Sequence, residues 1–162
     1  MNKLAVIYWS GTGNTQAMAE AVAEGAKATG ADVSLLTCAE VNDISVFDAV
    51  ALGCPAMGAE ELEDSEFLPM LESIEPALPG KKVALFGSYG WGDGEWMRTW
   101  EARCAEKGIT LSANSFVPET LILPAFPGFC VLVWLQNVYI LHNFVARPCL
   151  MRKSVYGIRP LS

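Results

Sequence analysis

Short apolar runs rich in Val, Ile and Leu alternate along the first 116 residues with stretches whose apolar residues recur at helical spacing, which leaves few possible architectures. Leu4 to Trp9 reads as a strand, and behind it Met18, Val22 and Ala26 fall on one face of a helix expected from Thr15 to Thr29. Val33 to Leu36 reads as a second strand, and Val50 to Gly53 closes a third. Phe67, Leu71 and Ile74 mark a helix face that stops before Pro76, and Val83 to Phe86 follows as a fourth strand. Trp96, Trp100 and Cys104 mark another helix face, Lys107-Gly108 ends it, and Ile109 to Phe116 is the fifth expected strand. Strands joined through helices run parallel, and right-handed crossovers lay those helices over the sheet. The pattern therefore predicts an α/β fold with a parallel sheet covered on both faces.

Size and charge narrow the function classes. A chain of 162 residues suits one domain, and 52% apolar with 18% charged residues suits a packed core. The net charge of −7 argues against a nucleic-acid binder, which needs basic patches, and favours basic partners. Cys38, Cys54, Cys104, Cys130 and Cys149 are odd in number and contain no C-x-x-C pair, so neither a disulfide framework nor a metal cluster is expected. A reducing, cytoplasmic setting fits that usage, and the first residues lack the long apolar core of a signal peptide. The charge is unevenly spread: Met1 to Glu119 holds 18 acids and 7 bases, whereas Thr120 to Ser162 holds 4 bases and no acid.

In a sheet of this kind ligands bind beyond the carboxyl ends of the strands, where three loops stand out. Ser10-Gly11-Thr12-Gly13-Asn14-Thr15 follows the first strand and opens the first helix with glycines, hydroxyls and an amide. Backbone N–H groups at a helix start bind an anion, glycines let the chain come close, and the polar side chains add donors. A Walker loop would end in Gly-Lys-Ser/Thr, and a dinucleotide fingerprint would need glycine at Gln16. A capped helix start with a Gly-rich turn is the plainer alternative. Cys54-Pro55-Ala56-Met57-Gly58-Ala59-Glu60 follows the third strand, and Ser88-Tyr89-Gly90-Trp91-Gly92-Asp93-Gly94 follows the fourth. Met57 and Trp91 could clamp a flat ring between them, or fold back into the core.

Tyr8-Trp9-Ser10-Gly11-Thr12-Gly13-Asn14-Thr15, Leu52-Gly53-Cys54-Pro55-Ala56-Met57-Gly58, Glu60-Glu61-Leu62-Glu63-Asp64-Ser65 and Leu85 through Met97 together resemble the short-chain flavodoxins of the clostridial type, in register from Met1 to about Leu123. The resemblance implies a five-stranded doubly wound sheet in the order 2-1-3-4-5 with FMN at its switch point, an arrangement already known for flavodoxins. It implies that Ser10, Gly11, Thr12, Gly13, Asn14 and Thr15 hold the phosphate, with Ser88 near the phosphate or the ribityl chain. It places Met57 on the inner face of the isoalloxazine and Trp91 on the outer one, in the loops Pro55-Ala56-Met57-Gly58-Ala59-Glu60 and Ser88-Tyr89-Gly90-Trp91-Gly92-Asp93. Glu60 would accept from the ring N3–H, and the backbones of Gly90 and Asp93 would contact the pyrimidine edge. The Gly58-Ala59 peptide would present its carbonyl to N5 once that atom is protonated, glycine tolerating the turned form. Pro55 replaces a hydroxyl residue of some relatives, and Ala59 replaces a common Asp or Gly. Glu60, Glu61, Glu63, Asp64 and Glu66 would lower the second potential, and the same acid run reads either as a docking face or as an ordinary solvated face.

The resemblance implies a cytoplasmic, monomeric electron carrier, domain 1–123, working between redox proteins with no catalytic residue, no metal and no substrate pocket of its own. A flavin-dependent quinone reductase would share the fold, but such enzymes build a substrate cavity from longer loops or a second subunit. Residues 124–162 depart from the family, which ends in an acidic, alanine-rich amphipathic helix. Here Phe129 to Leu141 has no polar face. A shifted reading frame that leaves a non-functional flavodoxin, a membrane segment across the 22 uncharged residues Ala125 to Ala146 followed by Arg147, Arg152, Lys153 and Arg159, and a substitute for the missing helix all remain open. His142 has no partner pattern and no assigned role.

Overall fold

The computed structural model describes residues 2–90 and 92–112; Trp91, the rest of the expected fifth strand and the whole of 124–162 lie outside the described residues. Four strands, β1 (Lys3–Tyr8), β2 (Asp32–Thr37), β3 (Ala49–Gly53) and β4 (Lys82–Phe86), alternate with three helices, α1 (Asn14–Ala28), α2 (Phe67–Ile74) and α3 (Glu95–Glu106). The strands pair in parallel in the order β2-β1-β3-β4. Beyond β4, Leu111 bridges Val83 in parallel and the Ser112 N–H donates to the Val83 carbonyl at 2.7 Å, so the chain has returned to the sheet edge where a fifth strand was expected.

Alternation along each strand sorts its side chains onto two faces. Leu4, Val6, Ala49, Ala51 and Phe86 pack against Met18, Ala19, Ala23 and Ala26 of α1. The apolar face of α1 is therefore wider than the expected stripe, with Val22 only half-buried at its margin. On the other face Ala5, Ile7, Val50, Leu52, Val83 and Leu85 meet Phe67, Leu71 and Ile74 of α2 and Trp96, Trp100 and Cys104 of α3. All six of those helical residues are at most 6% exposed, and Phe67 meets Trp100 edge to face at a centroid distance of 5.3 Å. That geometry suits the ring quadrupoles. The small residue at the end of β3 has a packing cause: a Cβ at Gly53 would lie 2.3 Å from two ring carbons of Phe86 on the neighbouring strand. Glu75, 7% exposed in the turn after α2, is held by a two-pronged ion pair with Arg103 of α3. This contact ties the two helices at the end remote from the loops.

Gly53→Ala forces Phe86 to shift within a filled layer and is expected to lower the unfolding free energy by about 1–3 kcal/mol. Urea denaturation of the variant against the parent chain reads that loss.

Candidate functional site

The parallel pairing of β1, β3 and β4 brings the loops that follow them together at the carboxyl edge of the sheet. Backbone hydrogen bonds continue past the strands: Trp9 N–H donates to the Gly53 carbonyl at 3.0 Å, Cys54 N–H to Phe86 at 3.1 Å and Ala56 N–H to Ser88 at 2.9 Å. Two of these bonds fix the loop after β3 against the loop after β4. A Cβ at Gly87 would lie 2.1 Å from the Cys54 carbonyl oxygen, and that oxygen also accepts the Trp96 indole N–H at 3.3 Å. Glycine at 87 is what lets β4 run so close to this carbonyl.

The first loop turns into α1 through Gly13, at φ +90, whose N–H donates to the Ser10 hydroxyl at 3.0 Å. No acid lies in the first turn of α1. Gly11, Thr12 and Gly13 are exposed, Ser10 and Asn14 are half-buried, and Thr15 is 1% exposed. The Thr15 hydroxyl is buried with no hydrogen-bond partner in the protein. A buried donor left unmade at a helix start that lacks negative charge is suited to an anion.

The second loop is a tight hairpin. Met57 and Glu61 exchange two backbone hydrogen bonds, each of 2.9 Å, around a turn in which Gly58 has φ +49 and Glu60 φ +57. The turn pushes Met57 outward, 39% exposed, one of two large apolar side chains so placed among the described residues. Gly58 and Ala59 are exposed, whereas Pro55 and Ala56 are half-buried. In the third loop Ser88 is buried, Tyr89 packs its ring on Trp96 at 5.5 Å, and Gly90 and Gly92 are exposed. Asp93 binds Arg98 through its carboxylate and its carbonyl. Between the second and third loops lies a cleft of about 430 Å³ lined by Ala59, Glu60, Gly92, Asp93 and Glu95. Carboxylate oxygens of Glu60, Asp93 and Glu95 lie within 4.8 Å of one another there. The structure thus gathers every described member of the expected set along one edge.

The acid run does not form one solvated face. Glu63 is 5% exposed, and its carboxylate accepts the backbone N–H groups of Ser65, Glu66 and Phe67 and the Ser65 hydroxyl. It caps the start of α2, whose first amides would otherwise lack partners. Burial pushes the Glu63 carboxyl up, but those hydrogen bonds outweigh it and hold the group below the ordinary glutamate range. Its own N–H donates to Cys54 Sγ at 3.4 Å. Burial pushes the Cys54 thiol up to about 12, so it stays protonated and donates to the Pro55 carbonyl while accepting from Glu63. Glu61, Asp64 and Glu66 are exposed. Sequence reasoning missed this division, because a glutamate in an acidic run carries no sign of burial.

Among the described residues no helix is long and apolar enough to cross a membrane. The family model described as Flavodoxin matches residues 6–120. The flavodoxin of Megasphaera elsdenii is 50% identical over 116 residues, 70% of this chain and 85% of its own length. That of Clostridium beijerinckii is 53% identical over 116 residues, 70% of this chain and 84% of its own. The solution structure of two-electron reduced Megasphaera elsdenii flavodoxin aligns at a TM-score of 0.67 and 49% identity, covering 70% of this chain and 85% of that one.

Glu63→Gln turns an amide nitrogen toward N–H donors and is expected to cost about 1–3 kcal/mol at neutral pH. The carboxyl is held low in the folded chain, so its contribution is present above the unfolded value of about 4.3 and drains away as pH falls through the folded one. Denaturation from pH 6 to pH 3 should therefore show the parent chain losing stability more steeply than the glutamine variant.

Proposed function

The chain belongs to the flavodoxin family, electron-transfer proteins that carry FMN, and on that premise we propose that it is a low-potential one-electron carrier between redox proteins. The observation that carries the site assignment is the buried, unpartnered Thr15 hydroxyl in an uncharged helix start. With Ser10, Gly11, Thr12, Gly13 and Asn14 it offers neutral donors for a phosphate dianion, the part of FMN that most needs dedicated partners. FMN, when bound, supplies the one-electron couple.

The remaining residues orient the ring and set its surroundings. Met57, held outward by the Met57–Glu61 hairpin, is the apolar cover for one face, and Trp91 is assigned the other. Gly58, already at positive φ, lets the Gly58-Ala59 peptide offer its carbonyl to a proton at N5. Pro55 and Ala56 lead into that loop, while Ser88, Tyr89, Gly90, Gly92 and Asp93 belong to the loop after β4 beside it. Glu60, Asp93 and Glu95 crowd negative charge at the ring end of the cleft, which disfavours a further negative charge and so lowers the second potential. Exposed Glu61, Asp64 and Glu66 beside it suit docking by a basic surface, and a reducing cytoplasm suits the free thiols.

Titrating FMN with the purified full-length chain is expected to quench flavin fluorescence at one-to-one stoichiometry. Thr15→Val should weaken binding about tenfold or more through loss of a hydrogen bond to a charged group, and Trp91→Ala should lower affinity and move both potentials. Absence of quenching by the parent chain would overturn the reading, and unchanged titration by Thr15→Val would overturn the phosphate assignment.

A further inference from the structure

The two glycines of the first loop are glycine for different reasons. Gly13 lies at φ +90 with nothing within 4 Å of where a Cβ would stand, so its backbone alone disfavours other residues. Gly11 lies outside the left-handed region, and there it is the space that is taken. A Cβ at Gly11 would stand 2.9 Å from Cη2 and 3.3 Å from Cζ3 of the Trp9 indole, atoms of the outer edge of its six-membered ring. Trp9 is still tied to the sheet by its N–H on the Gly53 carbonyl, and it is half-buried against the core. It continues the alternation of Ala5 and Ile7, whose face of the sheet carries α2 and α3. The helix that this loop opens, α1, packs on the opposite face. The chain therefore meets the indole edge at Gly11 on its way from one side of the sheet to the other.

We propose that Trp9 is a positioning residue for the phosphate loop, its indole edge setting, through Gly11, the height at which the loop's amides stand over the sheet. The inference rests on the reading of Ser10 to Thr15 as the phosphate cradle. A cradle of neutral donors works only when several N–H groups converge on one anion, so a shift of its second residue misaims those that follow. The exposed residues Gly11, Thr12 and Gly13 have little packing of their own to fix them, and the rigid ring beneath Gly11 supplies it. A shorter side chain at 9 lets the loop sink, and a methyl at 11 lifts it. Both changes act on the phosphate end of the ligand and leave the ring end, held by the other two loops, as it was.

The ratio of FMN to riboflavin affinity reads this role, because the two ligands differ only in the phosphate. Trp9→Phe keeps an aromatic ring in the inner part of the space and stops short of Gly11, so it should fold. It is expected to lower the ratio about tenfold, the size of one hydrogen bond to a charged group, by weakening FMN with riboflavin unchanged. Gly11→Ala should lower the ratio likewise in the parent chain. Added to Trp9→Phe it should cost nothing further, since the space its methyl needs is then empty. Urea denaturation without flavin reads the contact alone: Gly11→Ala should lower the midpoint in the parent and leave it unchanged in Trp9→Phe. A parent that prefers FMN with a Trp9→Phe variant that prefers it equally, or additive losses in the double variant, would overturn the role of Trp9 and leave the phosphate reading standing. If the parent binds FMN no better than riboflavin while the urea midpoints still show the coupling, the contact stands and the phosphate reading falls, taking the positioning role with it.

Discussion

Strands β1, β3 and β4 go on exchanging backbone hydrogen bonds after their regular pairing ends, from Trp9 to Gly53, from Cys54 to Phe86 and from Ala56 to Ser88. Loops are ordinarily the least fixed parts of a domain, yet these bonds carry the register of the sheet into them. Close approach is the condition. Glycine at 87 lets the neighbouring carbonyl come within reach, and the Trp96 indole fastens that carbonyl from the helix side. The hairpin that bears Met57 therefore starts from a fixed point and ends at another, the buried cap at Glu63.

Three glutamates within four positions do three different things there. Glu60 reaches across to α3, Glu61 closes a hairpin through its backbone with its side chain exposed, and Glu63 turns inward to start α2. Chemistry alone does not separate them; backbone direction does. Two of the carboxylates spend their charge on helix amides, whose positive ends favour them. The repulsion that would otherwise spread through the run is thereby reduced, and the exposed charge concentrates at Glu61, Asp64, Glu66, Asp93 and Glu95.

Much of the architecture was legible because it rests on periods. Apolar alternation located four strands to within a residue or so, and Phe67, Leu71 and Ile74, or Trp96, Trp100 and Cys104, showed which helix faces are buried. The family resemblance named FMN as the loops' ligand, and the glycine-rich start of α1 was visible as an anion cradle without it. Backbone signs were not legible. Nothing in the letter at position 60 announces a left-handed glutamate, and nothing at 63 announces a buried one, since charged side chains are normally outside. Those features arise from contacts between segments 34 residues apart or from caps made across a turn, which a one-dimensional pattern does not record. The fifth strand was read to Phe116, and its first contact with Val83 falls inside that span.

The buried thiols bear on how such a chain survives its own trade. Reduced flavins react with dioxygen to give peroxide, and peroxide attacks thiolates. Cys38 and Cys54 are pushed up to about 12 and Cys104 to about 11, chiefly by burial. At pH 7 these three thiols therefore stay protonated and are poor nucleophiles toward peroxide. Among the described residues the sulfur most open to oxidation is the thioether of Met57, which a sulfoxide would turn from an apolar group into a polar one. Wear would thus begin at the loop that meets the ring, while the core beneath it stayed intact.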